Sequence, residues 1–435
     1  MTTTDFHLTG VFAPVHDELT AFDLPVTGTL PPELTGWYLR NGPNPREDSP
    51  HWFTGDGMVH GIRLENGRAA WYRNRWVRTE SFGGTDSTPY REDGSRNLRH
   101  RVANTHVVNH AGRTLALVES SLPYEITNEL ETVGVYDFGG ELADSMTAHP
   151  KICPTTGELH FFGYGSLTSP HVSYYQADAE GKLVVKQPID VPGLTMMHDF
   201  ALTASHAVFF DLPVVFDRAS VGKGMPYHWD ASYGARLGVV RRDHPEAGVR
   251  WLDIEPCYVF HTLNAFDTPD GRIVAYVVRY DHMWWAGHEP ARGMLWRWTI
   301  DLLSGTVTEE QVDDLPGEFP RIDDRLAGAD SRFGHLTQSG GPDGNSFLRR
   351  YDLHSGTARQ HVFAPGRQPG EAVFVPADDT AGGDGWLLTY VYDAATDLSE
   401  LAVFDAGNIT AAPVATVHLP QRVPAGFHGN WLPDA

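Results

Sequence analysis

Apolar positions along the chain fall in short β-branched or aromatic runs, each followed by a glycine-bearing turn and a further short run. One such unit is Gly61-Ile62-Arg63-Leu64, Glu65-Asn66-Gly67-Arg68, Ala69-Ala70-Trp71-Tyr72. Others turn at His110-Ala111-Gly112-Arg113, Pro154-Thr155-Thr156-Gly157, Ala179-Glu180-Gly181 and Thr268-Pro269-Asp270-Gly271. The series continues with Asp301-Leu302-Leu303-Ser304-Gly305, Asp352-Leu353-His354-Ser355-Gly356 and Asp405-Ala406-Gly407-Asn408. In several of these, an Asp or Asn side chain can bond its own turn, and in each a glycine can adopt positive φ. Helical periodicity is scarce. Hairpins repeat through the whole length without a linker-like tract, which predicts one all-β, radially repeated domain over residues 1–435. Eight such turns suggest an all-β propeller of six to eight blades, with a seven-bladed β-propeller expected, and loops and short helices forming a cap over the active-site face. Residues 211–234, 83–98 and 282–290 read as the long connections, and such loops tend to carry function.

Composition narrows the picture. The chain has 435 residues, 41% hydrophobic and 11% aromatic, enough for a substantial core. Its net charge of −23, from 33 basic and 56 acidic residues, disfavours nucleic acid as a partner and gives no electrostatic help at an anionic membrane. Two cysteines, Cys153 and Cys257, cannot build a disulfide framework or a cysteine zinc site. With no apolar leader in residues 1–20 and no membrane-length apolar run, the expected location is the cytoplasm.

The candidate chemistry lies in histidines set among apolar or turn residues. His198 stands in Met196-Met197-His198-Asp199-Phe200, and His261 in Val259-Phe260-His261-Thr262-Leu263. His149 stands in Thr147-Ala148-His149-Pro150, and His428 in Gly426-Phe427-His428-Gly429. Taken singly, each reads first as a core histidine bonded to a backbone carbonyl. As a set, one per blade, they could converge on a propeller axis. Four neutral imidazoles would suit iron, copper, nickel or zinc rather than calcium or magnesium. Such a shell calls for carboxylates on the outer ring nitrogens, and Glu119, Glu318 and Glu371 interrupt apolar sequence. A solvent-facing strand end accounts equally well for Glu119 and Glu371; after Asp313-Asp314, a solvated acidic turn is the better reading of Glu318. Spacing does not separate His60, in Met58-Val59-His60-Gly61, from the set, whereas His7, His16 and His244 read as surface.

These stretches resemble the carotenoid cleavage oxygenase family. Gly36-Trp37-Tyr38-Leu39-Arg40-Asn41-Gly42-Pro43-Asn44-Pro45 and Phe53-Thr54-Gly55-Asp56-Gly57-Met58-Val59-His60-Gly61 look like its N-terminal signatures. The segments around His149, His198, Glu318, Glu371 and His428 follow in the family's order. The resemblance implies a seven-bladed propeller with Fe(2+) held by His149, His198, His261 and His428. It also implies Glu119, Glu318 and Glu371 as supporting carboxylates, Thr105 near the iron, and His60 outside the ligand set. The implied reaction is insertion of O2 across a C=C bond of a carotenoid or apocarotenoid, giving two carbonyl products without an external reductant.

A substrate pocket lined by Phe53, Val118, Met196, Phe260, Trp284 and Trp285 is expected, and an apolar rim near Trp284-Trp285 would allow peripheral membrane contact. Family members that cleave phenolic stilbenes carry a lysine just before the Glu119 position. Val118 stands there, and a buried valine cannot stabilise a phenolate. The partners expected are therefore a small apolar substrate and O2, with stilbene or phenylpropene cleavage as the alternative. A propeller hydrolase would want a calcium site of oxygen ligands, which the histidine set does not fit. An interaction scaffold would make the histidines core residues.

Overall fold

The computed structural model describes residues 6–46, 49, 51–82, 91, 95–221, 225–282, 292–340 and 344–434. They form a seven-bladed β-propeller: seven sheets of four to six strands, plus one two-stranded ribbon. The chain divides into two compact units, Met1–Tyr136 with His335–Ala435, and Asp137–Gly334.

Within Asp137–Gly334 the sheet logic is visible in burial. Ile273–Tyr280 is buried at every position, as expected of a central strand packed on both faces. Its sheet continues through Met294–Asp301 to Thr306–Gln311, where burial alternates and then gives way to exposure. The sheet Lys151–Ile152, Leu159–Tyr164, Val172–Ala177, Leu183–Ile189 repeats this gradient, from two fully buried central strands to an outer one alternating half-buried and exposed. Phe161, Phe162, Phe200 and Phe209 are fully buried, and Phe162 meets both Phe200 and Phe209 edge-on. Each such side chain contributes roughly 1.5–3 kcal/mol by leaving water.

In the unit Met1–Tyr136 with His335–Ala435, the two ends of the chain share sheets. Gly429–Pro433 pairs antiparallel with Gly36–Asn44, and Val26–Gly28 with Ala415–His418. Pairing the last strands with the first leaves fewer unpaired edges.

The expected turns are present and work as their chemistry requires. At Asp301 and Asp352, Oδ1 accepts the N–H groups two and three residues on. Gly305 and Gly356 take φ of 74° and 67° and donate back to the Asp carbonyls at 2.9 Å. Three expectations change. Among the described residues the helices are only three-residue 3₁₀ turns, so the short helices exist in that minimal form. Residues 211–234 are not one long loop, because Val214–Phe216 pairs with Tyr227–Trp229 as a ribbon. His7 is buried, its Nε2 donating to the Ser49 carbonyl at 3.0 Å, and so is not a surface histidine. The expected loops 83–98 and 282–290 fall largely outside the described residues. No helix among the described residues is long and apolar enough to cross a membrane.

Close backbone approach fixes some positions. A Cβ on Gly163 would stand 2.2 Å from the Ser145 carbonyl oxygen, while Gly163 is paired within its sheet and Ser145 is tied by its Oγ to the Tyr164 carbonyl and amide at 2.9 and 3.1 Å. Gly163→Ala is therefore expected to lower stability by about 1–3 kcal/mol in urea unfolding; an unchanged midpoint would contradict this packing.

Candidate metal centre

His149, His198, His261 and His428 each lie at an edge strand of a different sheet. His149 precedes Lys151–Ile152, His198 precedes Phe200–Leu202, and His428 precedes Gly429–Pro433. His261 lies inside Tyr258–Asp267, where the ladder to Ile273–Tyr280 shifts register between Val259 and Thr262. A bulge of this kind re-aims a side chain. Within Asp137–Gly334 the three rings point their Nε2 atoms at one another. His149 Nε2 stands 3.0 Å from His198 Nε2, which stands 3.3 Å from His261 Nε2. The candidate ligand nitrogens of these three histidines lie within 4.8 Å of one another, and His428 belongs to the other unit.

Two carboxylates set the tautomers. Glu318 Oε2 accepts from His261 Nδ1 at 2.5 Å, and Glu371 Oε1 from His428 Nδ1 at 3.0 Å. With the proton held on Nδ1, each ring keeps an Nε2 lone pair for a cation. The second oxygen of each carboxylate is occupied as well. Glu318 Oε1 accepts the Tyr280 hydroxyl at 2.6 Å, and Glu371 Oε2 the backbone N–H of Gly429 at 2.7 Å. Burial pushes the Glu318 carboxyl up, but His261, Tyr280 and the Phe319 N–H together hold it below its ordinary value. Burial and the Glu318 carboxylate raise the Tyr280 phenol well above its ordinary range, so it remains a donor.

The donor set fits a metal ion. Two nitrogens each about 2.1 Å from a common ion, at about a right angle, stand about 3.0 Å apart. The 3.0 and 3.3 Å separations match that geometry. Four imidazoles suit a first-row transition metal and not a hard, oxygen-seeking cation.

The remaining expected residues fall as follows. Thr105 is buried, and its carbonyl accepts the N–H of His428 at 3.0 Å, which puts it beside that histidine. Glu119, half-buried, follows the strand Arg113–Leu117 at a turn in which Ser120 has φ 56°, with half-buried Val118 before it. Phe260 meets the His198 ring edge-on at 5.0 Å. Met196 is buried two residues before His198, its carbonyl accepting the Tyr258 hydroxyl at 3.2 Å. Phe53 packs on Phe427, the neighbour of His428, at 5.5 Å. Trp284 and Trp285 lie outside the described residues. His60 bonds Tyr72 at 2.9 Å and is not in the histidine group.

Sequence reasoning missed Tyr280, and also Phe319, whose ring stacks on His261 at 5.7 Å. Tyr280 merely ends an apolar run. The only signal at Phe319 was its place after Glu318.

The comparisons agree with this geometry. The family model described as retinal pigment epithelial membrane protein matches residues 12–433. A carotenoid cleavage oxygenase of Mycobacterium tuberculosis is 41% identical, over 98% of this chain and 97% of its own. Among solved structures, a lignostilbene dioxygenase of Pseudomonas brassicacearum superposes with a TM-score of 0.89 at 29% identity, covering 99% of both chains. A cobalt-substituted Synechocystis apocarotenoid oxygenase superposes at 0.85 with 27% identity, covering 97% of both. The histidine group and these relatives together identify a metal-dependent oxidoreductase that uses O2. The match along nearly the whole chain, in sequence and in fold, means that this protein belongs to the carotenoid cleavage oxygenase family.

Proposed function

We propose that this protein is an Fe(2+)-dependent dioxygenase that cleaves one C=C bond of a carotenoid or apocarotenoid. Both atoms of O2 enter the products, two carbonyl compounds, so no external reductant is consumed. In this reading His149, His198, His261 and His428 hold the iron, and Glu119, Glu318 and Glu371 support them. The observation that carries it is the convergence of the His149, His198 and His261 nitrogens, with Glu318 and Glu371 each holding a proton on the outer nitrogen of one candidate ligand, His261 and His428. When bound, ferrous iron supplies the site at which O2 is activated. The chain's own contribution is positioning: it fixes tautomers, excludes water and sets one double bond beside the metal.

Substrate class follows from the walls. Phe260 against His198, and buried Met196, present apolar surface beside the histidines. Val118, next to Glu119, offers no charge to a phenolate. Both favour an apolar polyene. The likeness to a lignostilbene dioxygenase supports phenolic stilbenes as the second reading. We further take 1–435 as one propeller domain acting in the cytoplasm, where the two buried free cysteines stay reduced, and in peripheral contact with membranes that hold its substrate.

Purified protein supplied in air with apocarotenals and with resveratrol-type stilbenes should release carbonyl products from the apocarotenals, identified by mass spectrometry. Turnover of the phenols alone would overturn the substrate choice. His198→Ala should purify folded by circular dichroism and without iron; normal iron content would refute the ligand set. In Glu371→Gln one end of the side chain becomes an amide donor facing His428 Nδ1–H or Gly429 N–H, so one buried bond is lost. Iron affinity or turnover should fall by about 10–100-fold, and an unchanged titration would remove Glu371 from the site.

A further inference from the structure

One buried carboxylate beside the histidines has bonds reaching further than its own strand. Asp199, 2% exposed, directly follows His198. Its Oδ1 accepts the Phe200 N–H at 2.8 Å and lies 2.8 Å from Nζ of Lys151, two residues after His149. Its Oδ2 accepts both the N–H and the hydroxyl of Thr262, at 2.8 and 2.9 Å, and Thr262 directly follows His261. One side chain thus joins the three short segments that carry His149, His198 and His261. A second tie runs in parallel: Thr147 Oγ1 donates to the His198 carbonyl and accepts the His149 N–H, at 3.3 and 3.1 Å.

The bond to Thr262 coincides with the register shift of its strand. The ladder between Tyr258–Asp267 and Ile273–Tyr280 is irregular on both sides of Thr262. A bulge turns a side chain out of the ordinary pleat but leaves main-chain groups that must find other partners. Asp199 takes the amide at this point, so it secures the irregularity that aims His261. The pair with half-buried Lys151 is an expensive way to gain stability alone, since taking the Asp199 carboxylate out of water offsets much of what the attraction returns. Such a pair does define geometry, because the carboxylate must meet its donors from three directions at once.

We propose that Asp199 is a positioning residue of the metal centre, setting the mutual spacing of His149, His198 and His261 through Lys151, Phe200 and Thr262. This rests on the four-histidine reading of the site. Asp199 touches neither metal nor substrate. It holds the main chain from which three ligands project. Removing its charge should loosen ligand geometry while leaving every ligand in place.

The test uses the full-length protein, stripped and reloaded with Co(2+) or Fe(2+), with three readouts: metal affinity, the visible absorption spectrum of the cobalt form, and thermal stability. Asp199→Asn places an amide group against the Lys151 ammonium or the Thr262 donors. It should weaken metal binding by about 10–100-fold, as outer-sphere changes do, and shift the cobalt bands. Thr262→Val removes only the hydroxyl's bonds, to Asp199 at 2.9 Å and to the Phe200 carbonyl at 3.4 Å, at near-constant volume; it should fold normally and still shift the cobalt bands, with a several-fold loss of affinity. Should Asp199→Asn fail to fold, Thr262→Val decides alone. Lowered thermal stability with wild-type affinity and an unshifted cobalt spectrum would make Asp199 a purely structural residue and overturn the proposal. If wild-type protein and His198→Ala alike take up no metal, the four-histidine reading fails and this proposal with it. Metal uptake by the wild type with unaltered variants would overturn this proposal alone.

Discussion

The hydrogen bond from an imidazole Nδ1–H to a buried carboxylate is the interaction on which the site depends. A histidine can ligate only through a nitrogen that carries no proton, and a free ring divides its proton between two positions. Glu318 and Glu371 remove that freedom at His261 and His428. Each glutamate is then held by its second oxygen, one by the Tyr280 hydroxyl and the other by the Gly429 amide. The chain of constraint runs outward from ring to carboxylate to strand. Formally anionic oxygens close to the rings also offset the positive charge that four neutral donors leave on a cation.

The propeller serves this arrangement through its strand edges. Four sheets each lend an edge strand, and a candidate ligand stands at or just before its first residues or at a bulge within it. At these places the ladder is incomplete, and the main chain can turn a side chain out of the pleat. The cost is main-chain groups that need partners, and residues packed around the candidate ligands supply them. Asp199 takes the Thr262 amide, Glu371 takes the Gly429 amide, and Thr105 takes the His428 amide. Phe260, edge-on to the His198 ring, and buried Met196 put apolar surface beside that ring. A substrate rich in double bonds and poor in polar groups loses nothing by entering such a place.

Much of the fold was legible in local pattern. Asp301, Gly305, Asp352 and Gly356 form the turns that their chemistry predicts, because a side-chain bond to the next amides and a positive φ are settled within five residues. Where local signals conflicted, the reading failed. Pro213, Gly222 and Pro226 masked the short alternations that pair Val214–Phe216 with Tyr227–Trp229. The polar neighbours of His7 suggested a surface position, although a carbonyl from Ser49 awaited it inside.

Sequence by itself determined the class of architecture, the residue types able to bind a transition metal, and, through family likeness, which histidines were candidates. Only the tertiary structure decided which candidates meet. His60 and His198 sit in similar apolar settings, yet Tyr72 claims the first while His149 and His261 face the second. It also decided that Tyr280 meets Glu318, that Asp199 meets Thr262, and that Glu318 is not a solvated turn residue. The reason is range. Periodicity and turn chemistry act over a few residues, whereas these bonds join residues some 40 to 60 positions apart and exist only once the strands have taken their register.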